Sequence, residues 1–421
     1  MDLEAVEMLV RGSMHRAGAG LLGRLLLMPS PPASQTPCAC GHAATYHDTR
    51  PKQVLTALGP VRFERCYYVC PHCHRGQSPR DRELDVAGTE FSPGVRRMMA
   101  AVGSEASFEQ GCEQLELLAG LEVTAKAVER QAEAIGAGIE AGEQAEIRRA
   151  KQLELPAVCA PAVPILYIEM DGTGVPVVKA ETEGRAGKIE GQPAHTREVK
   201  LGCVFTQTNT DEEGWPVRDE DSTTYTGAIE TAEEFGLRLY TEAWRRGWSR
   251  AQKKVVLGDG AVWIWNLTDQ HFPGAVQIVD LYHARQHLWE LAAKLFPNDV
   301  PARKQWMAIR LDQLDKGKIE ALVKTLRNLQ PANAELAKNV VNEADYFERN
   351  TKRMRYPKFR AQGLFVGSGV IEAGCKTVIG ARLKRSGMFW TVGGANAILA
   401  LRCGRLSGRF ENYWETRSRA A

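Results

Sequence analysis

The sequence predicts a multi-domain α/β protein with a zinc ribbon, a helical domain, and a mixed sheet that is split by a helical insertion. Three observations lead to this fold class. Two cysteine pairs flank a hairpin near residue 60, residues 92–150 have helical periodicity, and short apolar runs typical of buried strands recur between residues 165 and 280. The length of 421 residues suits about two to four domains with a sizeable core.

Composition is that of an ordinary globular protein. Hydrophobic residues make up 44% of the sequence and charged residues 25%, and the net charge is only +3. A nucleic-acid site would therefore depend on local clusters of basic residues. No apolar run reaches the length of about 18 residues that a membrane span needs, and the N-terminal residues lack the features of a signal peptide. We expect no membrane partner and a cytoplasmic location.

Cysteine spacing predicts a metal site in residues 31–82, which follow an N-terminal helix in residues 1–30. Thiolates on two tight turns can complete a closed tetrahedral site for a structural Zn²⁺, and a hairpin this small would fold poorly without it. The alternative is a set of unpaired buried thiols. The four predicted ligands are Cys38, Cys40, Cys70 and Cys73. Nearby candidates for substitute ligands are His42, His72 and His74.

The periodicity of residues 83–155 predicts a helical domain. Two helical segments are separated by a short turn at Gly120, and the second segment opens on Thr124. This is the pattern of a helix-turn-helix that reads DNA. A plain helical bundle gives the same pattern, so both interpretations stay open.

A proline-rich segment at residues 154–164 marks the start of the predicted sheet. Residues 156–290 hold its first part, and we expect residues 174–179 to form a hairpin with the first strand. Residues 291–362 lose strand character and predict a helical insertion, after which residues 363–421 return to the sheet domain. The predicted strands lie at 165–170, 198–206, 253–258 and 275–280.

Three carboxylates are placed where they can converge. Asp171 and Asp259 each end an apolar strand, and Glu372 lies in an early turn of a predicted helix that has Ser368 as its N-cap. Phosphoryl transfer on DNA uses two metal ions about 3.5–4 Å apart, and Mg²⁺ prefers oxygen ligands. The three residues therefore indicate a site for Mg²⁺ or Mn²⁺. Acidic residues at strand ends are common, so chance placement stays open on spacing alone.

Part of this pattern resembles haloacid-dehalogenase-like phosphatases. The similar segments are Asp171-Gly-Thr and Gly258-Asp-Gly. The nucleophilic aspartate of that family would fall at position 169, which is Glu, and its last aspartate at position 263, which is Trp. Both departures argue against phosphatase chemistry.

Further candidates lie around the three carboxylates. Asp280 and His283 are one helical turn apart and either orient phosphate or form a hydrogen-bonded pair at a strand–helix junction. Basic residues on both sides of Glu372 are candidates for contact with DNA phosphates, the alternative being a solvated helix end. They are Arg349, Lys352, Arg353, Arg355, Lys358, Arg360, Lys384 and Arg385.

Five segments resemble the transposases of bacterial insertion sequences of the ISKra type. They are MDGTGVP at 170–176, REVKLGCVFTQ at 197–207, VLGDGA at 256–261, IVDLYHA at 278–284 and GSGVIEAGCK at 367–376. With the cysteine pairs, the likeness covers nearly the whole chain. It implies an RNase-H-like catalytic domain with Asp171, Asp259 and Glu372 as a DDE triad. Asp280 and His283 match a motif that follows the second Asp in related families.

The resemblance implies cleavage at transposon ends and transfer of the 3′-OH into target DNA. The implied partners are double-stranded DNA (terminal inverted repeats and target) and further copies of the chain, as a homodimer or higher synaptic complex near the bacterial nucleoid. The zinc ribbon and the helix-turn-helix would hold the repeats. Two alternatives stay open: a metal-dependent nuclease without strand transfer, and a domesticated sequence-specific DNA-binding protein.

Overall fold

A computed structural model of the protein describes residues 2–27, 33–154, 162–187 and 192–420. The chain forms two compact units. Unit 1 comprises Met1–Gly138 together with Arg409–Ala421, and unit 2 comprises Ile139–Gly408. Residues 409–421 thus group with the N-terminal part of the chain, whereas the sequence analysis assigns them to the sheet domain. The bounds of the six predicted domains otherwise stay predictions.

Unit 1 starts with a long helix, followed by a four-stranded antiparallel ribbon. In the ribbon, Thr56 pairs with Gly59 across the predicted turn, so the hairpin between the cysteine pairs is confirmed. The strands follow one another in chain order. The elements are α1 (Leu3–Leu25), β1 (Gln35–Pro37), β2 (Ala43–Thr56), β3 (Gly59–Val69) and β4 (Gly76–Gln77).

Helices complete the first part of unit 1. Gly120 adopts a left-handed conformation with φ of 65° and ends α4, and the Thr124 hydroxyl accepts a hydrogen bond from the Ala127 amide at the start of α5. The helix–turn–helix arrangement of the backbone is therefore as predicted. The helices are α2 (Pro79–Glu83), α3 (Pro93–Glu105), α4 (Phe108–Ala119) and α5 (Ala125–Lys151), of which α5 continues past Gly138 into unit 2. Their shared core comprises Val95, Met99, Leu115, Leu121 and Val128.

Unit 2 contains a five-stranded mixed sheet in the order β11-β10-β5-β6-β9. Strands β5, β10 and β11 are parallel, and the pairs β5–β6 and β6–β9 are antiparallel. The predicted mixed sheet is confirmed. The strands are β5 (Val163–Pro176), β6 (Thr196–Gln207), β7 (Asn209–Thr210), β8 (Pro216–Val217), β9 (Thr224–Ala228), β10 (Ala251–Gly258) and β11 (Val276–Val279), of which β7 and β8 form a separate small hairpin.

The predicted hairpin at residues 174–179 is wrong. Strand β5 continues unbroken to Pro176 and pairs with β6 along its whole length. Gly172 and Gly174 do not turn the chain; they leave room for the side chains of Glu198 and Thr196, which approach within 2.7 and 3.0 Å of where a Cβ atom would stand. The glycines therefore mark close packing across the strand pair and not a turn.

Helices cover the sheet and form the insertion. The predicted insertion corresponds to α9–α12, and α8 precedes it. Helix α6 starts with a capping box between Thr231 and Glu234. The helices are α6 (Ala232–Arg245), α7 (Val262–His271), α8 (Leu281–Leu295), α9 (Val300–Asp315), α10 (Ile319–Arg327), α11 (Ala334–Arg349), α12 (Tyr356–Arg360), α13 (Gly369–Gly374), α14 (Ala381–Leu383) and α15 (Val392–Leu406). A π-helical turn, Cys375–Gly380, joins α13 to α14.

The last helix, α16 (Phe410–Ala420), is part of unit 1. The Arg417 guanidinium donates two hydrogen bonds of 2.7 Å to the Asp85 carboxylate, which also accepts from Arg96 of α3 at 2.7 Å. Asp85 therefore ties α16 to α3. Across the described ranges, no helix combines the length and apolar character that crossing a bilayer requires.

Candidate functional site

The register of the sheet sets Asp171 and Asp259 side by side. Strands β5 and β10 are parallel, with Glu169 opposite Leu257. Two residues further on, Asp171 lies in β5 and Asp259 follows the last residue of β10, so both lie at the carboxyl end of this parallel pair. The two strands are about 4.8 Å apart. Both side chains are half-buried. The two aspartates therefore form one group at the carboxyl end of the parallel strand pair.

The electrostatics of Asp171 reflect this neighbour. Burial raises the pKa of Asp171, and the negative charge of Asp259 raises it further. The Gly172 amide, which donates to Asp171 Oδ1 at 2.6 Å, and the nearby His283 act in the opposite direction. Two like charges in a partly desolvated place would be stabilised by a bound cation.

The turn that carries Asp259 is held by a helix of the insertion. Asp259 Oδ1 accepts a hydrogen bond from the Ala261 amide at 2.8 Å, and the Tyr346 hydroxyl of α11 donates to the Asp259 carbonyl at 2.9 Å. Gly260 has φ of +96°, and a Cβ atom there would lie 2.6 Å from the Tyr346 ring. Only glycine fits this position, and no pattern in the sequence points to Tyr346.

A row of rings extends from that turn to His283. The Tyr346 ring stacks on His287 with centroids 3.9 Å apart, and His287 Nδ1 lies 2.8 Å from a Glu343 carboxylate oxygen. The His287 ring in turn meets His283 edge-on at 5.1 Å. Tyr346 and Glu343 of the insertion therefore hold His287, and His287 packs against His283. His283 lies close enough to Asp171 to lower the pKa of that carboxyl group.

Asp280 is fully buried, and both of its carboxylate oxygens accept hydrogen bonds from the protein. Oδ1 accepts from the His283 amide at 2.7 Å and caps α8. Oδ2 accepts from the Ser368 hydroxyl at 2.5 Å and from the Ser368 amide. Ser368 stands at the N-cap of α13, but its hydroxyl bonds Asp280 and not the helix. Asp280 therefore joins the start of α8 to the segment that carries Glu372.

Glu169 is a buried acid that the sequence analysis uses only as an argument against phosphatases. Its Oε2 accepts a hydrogen bond from the Ile371 amide at 2.8 Å, and its Oε1 has no partner among the described residues. Burial raises the pKa of Glu169 to about 8, so the protonated form prevails at neutral pH. The signal in the sequence is an acid inside an apolar strand, two residues before Asp171.

Cys375 makes the second contact between the helix of Glu372 and strand β5. Its thiol lies 3.4 Å from Asp171 Oδ2 and donates to it. Cys375 opens the π-helical turn, a rare geometry that is frequent at functional sites. Ile371 and Cys375 thus lie on either side of Glu372 and contact Glu169 and Asp171. From the sequence, Cys375 is noted only as part of the segment at 367–376, without a role of its own.

Glu372 is exposed, and within the described part of the chain its carboxylate has neither a hydrogen-bond nor an ion-pair partner. The intrahelical pair with Lys376, the ordinary alternative for this spacing, is not formed. The oxygens of Glu372, Asp171 and Asp259 do not all lie within 4.8 Å of one another. Ligands on opposite sides of two metals that are about 4 Å apart do not need to be that close.

The basic residues before Glu372 divide into two sets. Arg353 donates to Gln277 at 2.6 Å and lies over the Trp265 ring, and Arg355 pairs with Glu320. Arg355 thus joins two parts of the insertion, and Arg353 joins the insertion to β11 and α7. Arg349, Lys352 and Lys358 are exposed, and Arg360 is half-buried. A cavity of about 680 Å³ beside the edge strand β11 is lined by Arg349, Lys352, Arg353 and Arg355.

The basic residues after Glu372 lie beside the carboxylates. The Lys384 ammonium donates to the hydroxyl of Thr173, which follows Asp171 by two residues on β5. Arg385 donates from Nε to the Ala381 carbonyl at 2.8 Å. Lys384 therefore brings a positive charge to the strand end where Asp171 lies.

The four predicted zinc ligands come together in unit 1. The Cys40 sulfur lies 3.5 Å from that of Cys38 and 3.6 Å from that of Cys70, and Cys38 lies 3.6 Å from Cys73. A tetrahedron with Zn–S bonds of about 2.3 Å has sulfurs about 3.8 Å apart. Backbone amides of Cys73 and His72 lower the pKa of Cys70 to about 6, which favours the thiolate. The cluster could bind zinc.

The histidines form a separate feature next to the cysteines. His42 and His72 stack with ring centroids 3.8 Å apart, and His42 Nδ1 lies 3.6 Å from the Cys40 sulfur. Together with Cys40 they make a second group of close ligand atoms. All four cysteine sulfurs already suit one ion, so the histidines are neighbours of that site.

Comparisons with known proteins give a family but no activity. The UPF0236 protein in vanSb 3'region of Streptococcus gallolyticus is 23% identical over 380 residues, which cover 86% of this chain and 74% of the relative. The solved Drosophila P element transposase strand transfer complex matches with a TM-score of 0.26 and 10% identity over 81% of this chain and 84% of that chain. A likeness at that TM-score supports no argument. Residues 43–418 match the family described as the uncharacterised protein family UPF0236, and the chain therefore belongs to it.

Proposed function

We propose that the protein is a DDE-type DNA transposase, the activity implied by its resemblance to ISKra-type transposases. The observation that carries the proposal is the pair of contacts around Glu372. Ile371 bonds Glu169, and Cys375 bonds Asp171, so the helix of Glu372 is held against the strand of the first aspartate. Sheet register adds the second aspartate beside the first.

The topology of unit 2 supports an RNase-H-like domain. Numbered in chain order without the small hairpin, the sheet has the order 3-2-1-4-5, with strands 1–3 antiparallel and strands 4 and 5 parallel to strand 1. This is the strand order of RNase-H-like domains. Under this assignment α9–α12 form the helical insertion that divides the domain.

Asp171, Asp259 and Glu372 would hold Mg²⁺ or Mn²⁺. A set of carboxylate oxygens suits hard divalent cations, and the mutual repulsion of Asp171 and Asp259 favours positive charge between them. When bound, two such ions would supply charge stabilisation to the attacking and leaving oxygens of phosphoryl transfer. The free carboxylate of Glu372 is available for this without breaking any contact of the described residues.

Residues around the three carboxylates would hold them in their positions relative to one another. Asp280 bonds Ser368 and Glu169 bonds Ile371, so two buried acids hold the backbone that leads into Glu372. A misplacement of about 1 Å can lower an enzymatic rate about 100-fold, so such contacts matter for turnover. His283 would orient phosphate or water from the Asp171 side.

DNA would be bound by residues around the triad and by unit 1. Lys384, together with the exposed Arg349, Lys352 and Lys358, would contact phosphates. The cysteine ribbon with a structural Zn²⁺ and the α4–α5 pair would hold the terminal inverted repeats. Copies of the chain would assemble on paired transposon ends at the bacterial nucleoid, as a homodimer or a larger synaptic complex.

The test is cleavage and joining with Mg²⁺ on a labelled fragment that carries the sequences flanking this gene, with a supercoiled plasmid as target. Wild type and Glu220→Gln, the same substitution at an exposed glutamate, should cleave and join. Glu372→Gln should bind the fragment with unchanged affinity and do neither, with a rate at least about 1,000-fold lower.

Three other outcomes would contradict the proposal. Cleavage without joining by wild type would indicate a metal-dependent nuclease. Specific binding without cleavage by wild type would indicate a domesticated DNA-binding protein. Cleavage by Glu372→Gln at the wild-type rate would remove Glu372 from the catalytic site.

A further inference from the structure

Helix α1 exposes a continuous apolar stripe along its whole length. The members of the stripe follow one another at intervals of three or four residues and so share one face of the helix. Their large side chains are 41–74% exposed. Exposed apolar surface of this extent marks an interaction site in soluble proteins. The stripe comprises Leu3, Val6, Val10, Met14, Ala17, Leu21 and Leu25.

Residues beside and behind this stripe hold α1 against unit 1. A Cβ atom on Gly18 would lie 3.2 Å from Leu58, and one on Gly23 would lie 3.7 Å from Val61. The Arg11 guanidinium donates to the Leu117 carbonyl at 3.0 Å. These contacts hold α1 against the β2–β3 turn, β3 and α4. The large side chains of the apolar stripe remain exposed, so the stripe faces away from the core of unit 1.

The charges of α1 are separated by sign along the helix. Residues 2–7 contain three acids and no base, and residues 8–25 contain three arginines and no acid. A parallel pair of such helices would bring acids against acids and arginines against arginines. An antiparallel pair sets the acidic residues 2–7 of each helix level with residues 21–26 of the other, which contain Arg24 and no acid, so charge complementarity favours this orientation.

We propose that α1 pairs antiparallel with α1 of a second copy of this chain, about a two-fold axis near Met14. The 23-residue helix is about 35 Å long. Pairing centred on Met14 sets Glu4 of one copy level with Arg24 of the other. The contact is isologous and closes as a dimer. The inference rests on the proposed function for the homodimer itself and adds its interface, which lies in unit 1 and needs neither DNA nor metal.

The first test compares molecular mass by light scattering at micromolar concentration. Wild type should have twice the mass of the chain, and Val10→Glu/Met14→Glu, which sets four carboxylates around the axis, should have the mass of one chain. Ile309→Glu/Val341→Glu, two apolar residues of unit 2 with 49% and 48% exposure, should remain dimeric. Circular dichroism spectra of all three proteins should agree, so that loss of folding is distinguished from loss of pairing.

The second test addresses orientation. Glu4→Lys should weaken the dimer at least about tenfold, and the addition of Arg24→Glu, at the position level with it in the other copy, should restore it. A parallel pair would respond to neither change in this way. A monomeric wild type, a dimer unaffected by Val10→Glu/Met14→Glu, or a monomer that sediments with anionic phospholipid vesicles would overturn the proposal.

Discussion

The proposed positioning role of Glu169 depends on the hydrogen bond that it accepts from the Ile371 amide. Its side chain is fully buried, and its accepted bond comes from the backbone of Ile371, the residue before Glu372. Because the pKa is raised to about 8 by burial, Glu169 acts as a neutral acceptor at neutral pH and adds no negative charge to the triad. A glutamine can replace a protonated glutamic acid atom for atom.

We expect Glu169→Gln to retain cleavage activity and Glu169→Leu to lose most of it. Glutamine keeps the oxygen that accepts from Ile371, whereas leucine leaves that buried amide unpaired, at a cost of about 1–3 kcal/mol. The measurement is single-turnover cleavage with saturating DNA, alongside DNA affinity, which should not change. Equal activity of the two variants would show that the bond does not position Glu372.

For single residues, the sequence predicts which of them lie at the ends of strands and helices, but not which distant residues contact them. Asp171, Asp259 and Glu372 can be predicted as site residues because each follows or opens a recognisable element. Cys375 and Tyr346 are not found, since their roles arise from contacts between residues about 90 to 200 positions apart. Asp280 is found as one half of a pair, and its bond to Ser368 is again a long-range contact.

Among the elements, the turn after β10 depends on backbone conformation. Gly260 combines φ of +96° with a ring directly above it, so a side chain meets both backbone strain and a collision with Tyr346. Gly274, in the turn before β11, also has a positive φ, of +78°, but nothing lies within 4 Å of a Cβ atom there. Alanine substitutions at these two glycines would therefore distinguish the effect of backbone strain alone from that of strain together with a side-chain collision.

We expect Gly260→Ala to lower cleavage at least about tenfold and to reduce the free energy of unfolding by about 2–3 kcal/mol, because the Asp259 turn must shift away from α11. Gly274→Ala should reduce stability by about 1 kcal/mol and leave cleavage unchanged. Urea denaturation and the cleavage assay decide this. If both variants cleave at the wild-type rate, the Asp259 turn tolerates movement.

Asp85 is the element-scale contact that holds α16. Burial raises its pKa, but hydrogen bonds from Arg417 and Arg96 outweigh burial, and the pKa of Asp85 lies below its ordinary value. A carboxylate whose pKa is lowered by folding stabilises the fold above the ordinary value near pH 4. That contribution is lost as the pH falls through the lowered folded-state pKa.

Asp85→Asn should therefore reduce the free energy of unfolding by about 2 kcal/mol at pH 7, since the three hydrogen bonds from Arg417 and Arg96 are broken or lose their charge assistance. Asparagine tolerates the positive φ of 51° at this position, so backbone strain is not added. Urea denaturation at pH 7 and at pH 3 should show the difference from wild type shrinking in acid. A difference that is the same at both pH values would exclude the ionised carboxylate as its source.

Sequence periodicity predicts the position of most helices and strands, but the pairing between strands determines where each strand ends and which strands are neighbours. The run at residues 174–179 has the glycine and apolar residues of a hairpin arm, yet it continues β5 because side chains of β6 fill the space above Gly172 and Gly174. The edge strand β9 has five residues and includes a glycine, which is too weak a pattern to detect. Strand order, which supports the proposed domain type, is set by tertiary contacts alone.

For the whole molecule, the division into two units makes the role of the cysteine cluster testable. The cluster lies in unit 1 and the carboxylates lie in unit 2. Metal removal should therefore affect one unit first. Structural zinc sites contribute directly to folding free energy, so their loss is seen as a local loss of stability.

We expect the purified protein to contain one zinc ion per chain, and chelation to lower the melting temperature of unit 1 while that of unit 2 stays constant. Cys70→Ser should reproduce the effect, and Cys66→Ser, a buried cysteine of the same hairpin outside the cluster, should retain the ion. Elemental analysis and scanning calorimetry provide the measurements. Full zinc content in Cys70→Ser would contradict the assignment.

The discontinuity of unit 1 is the part of the organisation that composition and motifs do not reveal. Linkers and changes of periodicity suggest a linear series of domains. The grouping of α16 with α3 depends instead on the Asp85 contacts across more than 300 residues. Such a long-range pair leaves no local pattern in the sequence.

The return of α16 to unit 1 has a consequence for biosynthesis. A ribosome makes residues 1–138 first, but the helix that completes this unit emerges only after the roughly 270 residues of unit 2. At about 5–20 residues per second, this delay lasts roughly 15–50 s, during which the helical part of unit 1 lacks its partner. Translation that stops before Arg409 would release chains whose unit 2 is whole and whose unit 1 is not, and quality-control proteases would recognise them by that exposed surface.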